Sequence, residues 1–326
     1  MSQQTWTTAP RRARRLVPGD RVALVATSGA IDLDQLTAGT AILRSWGLDV
    51  VLGDHLTDRH LGYLAGTDAD RAADFQRAWL DPTIAAVICA RGGYGVQRMV
   101  DLLDWDALRA APPKALVGFS DITVLHETVA QRLGVPTLYG PMGTGATFIA
   151  DPPTADHLRR TLFTPASTLV VGGRGASGAS GASGAEPLVS GTAHGVTAGG
   201  CASLLAAERG TTTARPSFAG TILLLEDVGE HPYRLDRILT QLIRSGALDG
   251  VAGFALGSWE DCGPLDQVRA VLSDRLAPLG VPVAWELGFG HCPSTLTVPL
   301  GLPATLDADA GTLTFDVPVL TGELAE

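Results

Sequence analysis

Ala115-Leu116-Val117-Gly118-Phe119-Ser120-Asp121-Ile122-Thr123 reads as an apolar strand that runs directly into a helix, with a serine at the junction. The following segment, Ile122–Leu133, repeats apolar residues at helical spacing, which predicts an amphipathic helix. In open α/β folds such a junction lies at the carboxyl end of the sheet, where ligands bind. The stretch therefore predicts the fold class and a first site residue, Ser120.

The same alternation extends through the first half of the chain. Short apolar runs rich in β-branched residues predict strands at Val22–Thr27, Leu48–Leu52, Ala85–Ala90 and Ala115–Ser120. Amphipathic stretches predict helices at Leu33–Trp46, Asp68–Leu80, Val96–Leu102 and Ile122–Leu133. Continuous apolar strands that alternate with helices indicate an α/β fold with a parallel sheet covered on both faces.

A glycine-rich segment divides the chain. Residues 175–185 repeat Gly-Ala-Ser and offer no side chain large enough for a core, which predicts a flexible linker. We therefore expect a domain over residues 1–165, a linker over 166–186 and a second domain over 187–326. The second domain is expected to be mixed α/β, with a helix at Leu235–Ile243 and a hairpin around Asp309-Ala310-Gly311.

Composition excludes several classes of protein. The chain has 326 residues, of which 45% are hydrophobic, so it can bury a sizeable core. Its net charge of −10 argues against a nucleic-acid surface. No apolar run is long enough to span a bilayer, and the N-terminus has no signal-peptide core, so we expect a cytoplasmic protein. The four cysteines are far apart and form no zinc or redox motif, which predicts that no metal or cofactor is used.

Ser120 has two interpretations. The free N–H groups and positive dipole end of a helix N-terminus would suit an oxyanion that develops as Ser120 attacks a carbonyl. Serine is also a common helix N-cap, and the elbow motif G-x-S-x-G is incomplete because Ile122 replaces its second glycine. The local sequence leaves both interpretations open.

Three other stretches hold residues suited to chemistry. Ala90–Gly95 places three glycines after a strand, as in a tight turn or a loop that presents N–H groups to an anion. Leu224–Arg234 ends a strand in Glu226, which could orient a histidine or form part of a solvated loop. Gly288–Pro293 carries His291 among glycines, although a lone histidine is more often structural than catalytic.

Taken together, these stretches resemble the LD-carboxypeptidase family of serine peptidases, which includes muramoyl-tetrapeptide carboxypeptidases and microcin C immunity peptidases. The resemblance covers nearly the whole chain. It is carried by Gly19–Val22, Ala90–Gly95, Gly118–Thr123, Gly140–Met142, Leu225–Arg237, Gly290-His291 and Pro299–Gly301. One departure is Cys201, which follows Gly199-Gly200 where family members commonly have asparagine.

The resemblance implies a nucleophile at Ser120, an acid at Glu226 and a base at His291. It further implies a flavodoxin-like or glutamine-amidotransferase-like N-terminal domain, a smaller swivelling β/α C-terminal domain, a homodimer, and an active site at the domain interface. The backbone N–H groups of Gly93 and Asp121 are candidates for the oxyanion hole, with Gly92 beside them. Arg91 is a candidate partner for a substrate carboxylate.

The implied activity is hydrolysis of the amide between a diamino acid and the terminal D-alanine of a murein tetrapeptide, during peptidoglycan recycling. A microcin-type peptide-nucleotide hydrolase is the main alternative. An α/β-hydrolase esterase shares the order serine, acid, histidine, but the sequence shows neither its antiparallel strand pair nor its His-Gly-Gly loop. A non-catalytic wall-peptide binder would not need all three reactive residue types.

Overall fold

Strands and helices alternate through the computed structural model, which describes residues 10–173 and 187–322. The strands are β1 (Arg21–Val25), β2 (Asp49–Leu52), β3 (Ile84–Cys89), β4 (Ala115–Gly118), β5 (Thr137–Tyr139), β6 (Val170–Gly172), β7 (Thr192–Cys201), β8 (Thr221–Val228), β9 (Gly253–Glu260), β10 (Val283–Ala284), β11 (Val298–Leu300), β12 (Pro303–Asp307) and β13 (Thr312–Phe315). The α-helices are α1 (Leu33–Ser45), α2 (Asp68–Leu80), α3 (Val96–Met99), α4 (Trp105–Ala110), α5 (Thr123–Leu133), α6 (Ala146–Ala150), α7 (Pro152–Phe163), α8 (Ala202–Ala207), α9 (Pro232–Arg244) and α10 (Leu265–Leu276).

The first sheet has the order β11-β5-β4-β3-β1-β2 and confirms the four strands expected in the first half. Its strands are parallel except β11, which runs antiparallel to β5. The order 2-1-3-4-5 is that of flavodoxin-like folds, in which a crevice opens at the carboxyl ends of the strands where the order reverses. The loops that follow β1, β3, β4 and β5 all meet at this edge.

The second sheet has the order β10-β9-β8-β7-β12-β13-β6. Strands β7 to β10 are parallel, whereas β12, β13 and β6 pair antiparallel. The hairpin expected around Asp309 is formed by β12 and β13, and the helix expected at Leu235–Ile243 lies within α9. The part of the chain that the structure describes is therefore mixed α/β with two sheets, as the sequence predicts.

The chain crosses between the sheets. Strand β6 precedes the Gly-Ala-Ser segment but pairs with β13 of the second sheet, and β11 follows the second sheet's parallel strands but pairs with β5 of the first. Residues 170–172 of the predicted linker thus form a strand, while the Gly-Ala-Ser repeat at 175–185 lies outside the described residues.

The buried side chains of residues 10–173 and 187–322 form three clusters. One cluster covers the α2, α4 and α5 face of the first sheet, and another covers the α8, α9 and α10 face of the second. The third is shared between the two sheets and contains Leu24 and Val117 of the first together with Leu224 and Leu306 of the second. No helix in the described ranges is long and apolar enough to cross a membrane.

Candidate active site

Ser120 is separated from the end of β4 by Phe119 alone and takes the first position of a short 3-10 turn that leads into α5. Its φ angle is +57°, in the left-handed region that non-glycine residues rarely adopt and that strained functional turns often use. The cap residue of the turn is Phe119, and the hydrogen bonds of the described residues include none from Ser120 Oγ. The hydroxyl is therefore not used as a helix cap.

Glu226 and His291 form a direct pair. Glu226 lies near the end of β8, at a break in the register with β9, and such irregularities re-aim side chains next to functional sites. Its Oε2 accepts hydrogen bonds from His291 Nδ1 at 2.7 Å and from the His291 backbone N–H at 3.2 Å. Glu226 is fully buried, whereas the His291 side chain is 19% exposed.

Gly290 permits this close approach. Its φ angle is +97°, and a Cβ atom there would lie 2.5 Å from Glu226 Oε2. Only glycine accommodates both the backbone conformation and the carboxylate.

The surroundings of His291 favour its charged form. Burial opposes the charge, but the charge of Glu226, its hydrogen bond to Nδ1 and the charge of Asp227 together raise the pKa of His291 above its usual value. An imidazole in this position is a stronger base than one in water, which suits proton abstraction from a hydroxyl.

Tyr139 joins Ser120 to this pair and was not predicted from the sequence. Its hydroxyl accepts a hydrogen bond from the Ser120 backbone N–H at 3.1 Å and donates one to Glu226 Oε1 at 2.6 Å. Burial and the neighbouring carboxylate raise the pKa of this phenol well above its usual value, so it stays protonated. The only signal in the sequence is its position beside the matched Gly140-Pro141-Met142 segment.

Ser120 and His291 face the same cavity, which has a volume of about 270 Å³. Its lining also includes Phe119, whose ring centroid lies 4.7 Å from that of His291. The hydrogen bonds of the described residues do not include one between Ser120 Oγ and His291. In sites without substrate this contact is often long and shortens when the substrate binds.

The glycine-rich loop forms another wall of the cavity. Gly92 packs closely, since a Cβ there would lie 3.0 Å from Met142 Cε and 3.4 Å from Ser120 Cβ. Gly93 has a φ angle of +107°. Among the hydrogen bonds of the described residues, none uses the N–H of Gly93 or of Asp121 as donor. The Ser120 N–H is already bound to Tyr139, which leaves the amides of Gly93 and Asp121 as unengaged donors on the two segments beside the serine.

Arg91 lies where this cavity meets a neighbouring one of about 470 Å³. Its Nη1 donates to the Ala30 carbonyl oxygen at 2.7 Å, which fixes one edge of the guanidinium. The planar fork retains further donors that match the geometry of a carboxylate.

The Asp121 side chain points away from the cavity and holds the serine turn in place. Its Oδ2 accepts hydrogen bonds from Ser28 Oγ at 2.6 Å and from the Val96 N–H at 3.0 Å. Burial raises the pKa of this carboxyl to about 6, although both hydrogen bonds oppose the shift. Asp121 thus ties the turn that follows β4 to the loop after β1 and to the first residue of α3.

Cys201 is the last residue of β7 and is paired with Glu226 in the parallel register of β7 and β8. Its Sγ is 3.2 Å from Ser203 Oγ and 3.5 Å from Asp227 Oδ1. Burial and the nearby carboxylates raise the pKa of the thiol well above its usual value, so it is protonated. At this position the chain has a neutral, buried thiol instead of the asparagine common in the family it resembles.

Comparison with known proteins assigns both halves of the chain to one family. The family model of the LD-carboxypeptidase N-terminal domain matches residues 22–140, and that of the LD-carboxypeptidase C-terminal domain matches residues 194–306. The "Putative carboxypeptidase" of Streptomyces coelicolor is 58% identical and covers 95% of this chain and 97% of its own. The murein tetrapeptide carboxypeptidase of Pseudomonas aeruginosa is 36% identical, and the match covers 89% of this chain and 94% of its own.

Solved structures share the fold over nearly the whole chain. The muramoyltetrapeptide carboxypeptidase from Oxalobacter formigenes is 28% identical, with a TM-score of 0.75 over 91% of this chain and 99% of its own. MccF in complex with glutamyl sulfamoyl guanosine is 23% identical, with a TM-score of 0.81 over 96% of this chain and 100% of its own. These matches confirm the family resemblance and the two-domain α/β fold.

Proposed function

The chain belongs to the LD-carboxypeptidase family, and from this premise we propose that it hydrolyses the L,D-type amide between a diamino acid and the terminal D-alanine of a murein tetrapeptide. The observation that carries the proposal is the pairing of a serine on a left-handed turn with a Glu226–His291 hydrogen bond at one cavity. We further propose the roles that the resemblance implies, namely a homodimer that acts in cytoplasmic peptidoglycan recycling.

In the proposed mechanism His291 acts as the general base. The Nδ1–H group donates a hydrogen bond to Glu226 Oε2, which leaves Nε2 free to accept the Ser120 proton as the hydroxyl attacks the amide carbonyl. Glu226 fixes this tautomer and stabilises the imidazolium that forms. His291 then gives the proton to the leaving amine of D-alanine, and water hydrolyses the acyl-enzyme by the same steps.

The proposed oxyanion donors are the N–H groups of Gly93 and Asp121. They come from two different loops beside Ser120, and neither is engaged by another acceptor among the described residues. Each such donor supplies stabilisation that develops only as the carbonyl oxygen becomes charged, which lowers the barrier by roughly 3 kcal/mol.

Arg91 is the proposed partner of a substrate carboxylate. It lies at the edge of the cavity that contains Ser120, and one edge of its guanidinium is held by the Ala30 carbonyl. A carboxypeptidase must distinguish a free chain end from an internal peptide, and a charge-assisted bond to the terminal carboxylate does so.

A murein peptide is favoured over a peptide-nucleotide because the relative named for the murein reaction is the more similar one. Its identity of 36% exceeds the 25% of the microcin C7 self-immunity protein MccF. Both substrates present an amide to the serine, so the direct test is a comparison of the two.

The test incubates the purified full-length protein with murein tetrapeptide and, in parallel, with an aminoacyl sulfamoyl nucleoside, and measures released D-alanine and released nucleoside. We expect D-alanine to be released faster, and Ser120→Ala to lower the rate at least about 1,000-fold because the nucleophile is lost. Ser45→Ala removes an exposed serine at the end of α1 and should leave the rate unchanged.

Two outcomes would reject parts of this proposal. Full activity in Ser120→Ala would exclude the serine mechanism. Faster cleavage of the nucleoside conjugate would assign the chain to the peptide-nucleotide branch and leave the mechanism intact.

A further inference from the structure

Tyr139 connects two residues that come from different halves of the chain. It ends β5 of the first sheet, whereas Glu226 belongs to β8 of the second. Its hydroxyl accepts from the Ser120 N–H at 3.1 Å and donates to Glu226 Oε1 at 2.6 Å. One buried phenol therefore touches both the backbone of the proposed nucleophile and the carboxylate that holds the proposed base.

The two oxygens of Glu226 are divided between partners. Oε1 accepts from Tyr139, and Oε2 accepts from the side chain and the backbone of His291. A carboxylate that is held at both oxygens cannot rotate about its last bond without breaking one set of contacts. Tyr139 thereby fixes the direction in which Glu226 presents Oε2 to the imidazole.

The Tyr139 ring is itself firmly placed. It is fully buried, and its ring packs edge-on against Phe119 and Phe289 at centroid distances of 6.2 Å and 6.3 Å. At Gly200 a Cβ would lie 2.6 Å from Tyr139 Cε2. Neighbours from both halves of the chain thus leave the phenol a single position.

From this geometry we propose that Tyr139 is a positioning residue that aligns the Ser120 turn and the Glu226–His291 pair with each other. It acts through Ser120 and Glu226 and does not touch the substrate, since the lining of the cavity does not include it. This role rests on the proposed serine mechanism and assigns a function to a residue outside the serine, acid and histidine set.

The test is the isosteric variant Tyr139→Phe, assayed on murein tetrapeptide as the full-length protein. Loss of the hydroxyl leaves Glu226 Oε1 and the Ser120 N–H without their partner, so alignment is lost mainly in the transition state. We expect kcat to fall roughly 10- to 100-fold while KM changes less than about twofold. The matched control is Thr161→Val, which removes another fully buried hydroxyl, bonded within α7, and should leave both constants unchanged.

A double-mutant cycle with Glu226→Gln separates alignment from a general loss of stability. Because Tyr139 acts in part through Glu226, we expect the free-energy losses in kcat to be less than additive, so the double variant is less impaired than the product of the two single losses predicts. Fully multiplicative losses would overturn the alignment of the Glu226–His291 pair by Tyr139, and an unchanged kcat in a folded Tyr139→Phe would overturn its positioning role altogether. If Ser120→Ala also kept its activity, the serine mechanism itself would be rejected instead.

Should Tyr139→Phe fail to fold, the hydroxyl can be altered without removal. In a protein with Tyr63→Phe, Tyr94→Phe and Tyr233→Phe, 3-fluorotyrosine enters only at position 139 and makes that phenol a stronger donor. We expect kcat to change by at least twofold relative to the same protein with ordinary tyrosine. An identical kcat would overturn the proposal.

Discussion

Asp227 follows Glu226 in β8 and adds a second negative charge near His291, although the hydrogen bonds and ion pairs of the described residues include none between the two. Its Oδ2 accepts the Ser203 N–H at 2.7 Å, at the start of α8. Burial and the charge of Glu226 raise the pKa of the Asp227 carboxyl to about 6, so it is mostly ionised above that pH. Its charge contributes to the raised pKa of His291.

Asp227→Asn should therefore shift the pH dependence of the reaction. The base must be neutral to accept a proton, so kcat/KM falls as the pH drops through the pKa of His291. Removal of a negative charge lowers that pKa, and we expect the acidic limb of the kcat/KM profile to move to lower pH. The measurement is a pH–rate profile on murein tetrapeptide.

The matched control is Asp54→Asn, which removes an exposed carboxylate paired with Arg77 at the surface. It should leave the limb in place, since solvent and salt screen such a charge. A limb that stays fixed in Asp227→Asn, or moves to higher pH, would contradict the electrostatic role of Asp227.

At the scale of elements, the loop that carries His291 depends on Gly290. Gly290→Ala and Gly210→Ala form a matched pair that separates the effect of backbone strain from that of a collision with Glu226. Both glycines have a φ angle of +97°. At Gly210 a Cβ would meet nothing within 4 Å, whereas at Gly290 it would lie 2.5 Å from Glu226 Oε2.

We expect both alanine variants to lose about 1–3 kcal/mol of stability from backbone strain. Gly290→Ala should lose further stability and almost all activity, because the carboxylate must move away from His291. Gly210→Ala should retain wild-type kcat. Thermal melts and tetrapeptide assays of the two proteins provide the comparison, and an active Gly290→Ala would show that the Glu226–His291 contact is not needed.

The elements differ in how far the sequence determines them. Strands β1 to β4 were predictable because each is a continuous apolar run beside an amphipathic helix. Strand β5 has only three residues, and β11 joins the first sheet from far along the chain, so no local pattern marks either pairing. Tyr139 was missed for the same reason, since its partner Glu226 is 87 residues away.

Local sequence also could not decide between the two interpretations of Ser120. A helix cap and a nucleophile on a turn require the same residue type at the same junction. The left-handed φ angle of Ser120 and the neighbouring Tyr139 hydroxyl are products of tertiary packing. The sequence could indicate the candidate residues, but their relative positions depend on contacts between the two halves.

At the scale of the molecule, the two halves hold each other through buried polar contacts as well as exchanged strands. In α5, Glu127 accepts the Gly199 N–H of β7 at 2.8 Å and pairs with Arg215. Thr123 Oγ1 accepts the Cys201 N–H at 3.0 Å. The end of β7 is thus fixed against the helix that follows Ser120, and β8 with Glu226 lies directly beside it.

These contacts, with the cluster shared between the sheets, predict that both halves unfold together. Leu300 tests this, because it is buried in β11, which the C-terminal half contributes to the first sheet. Leu300→Ala should cost about 2–5 kcal/mol and lower the hydrogen-exchange protection of α2 and of α9 by the same free energy. Leu272 belongs to the cluster that covers the second sheet alone. If unfolding is cooperative, Leu272→Ala should also lower the hydrogen-exchange protection of α2 and of α9 by equal free energies.

If the two halves unfolded separately, hydrogen exchange and calorimetry would give a different result. Leu272→Ala would then lower protection in α9 and leave α2 unchanged, and calorimetry of the full chain would resolve two transitions instead of one. Cooperative unfolding has a consequence for the site, because Ser120 and Glu226 belong to different sheets. If the halves unfold as one unit, any substitution that weakens either core lowers the fraction of molecules in which nucleophile, acid and base are assembled, and activity falls in parallel with stability near the melting temperature.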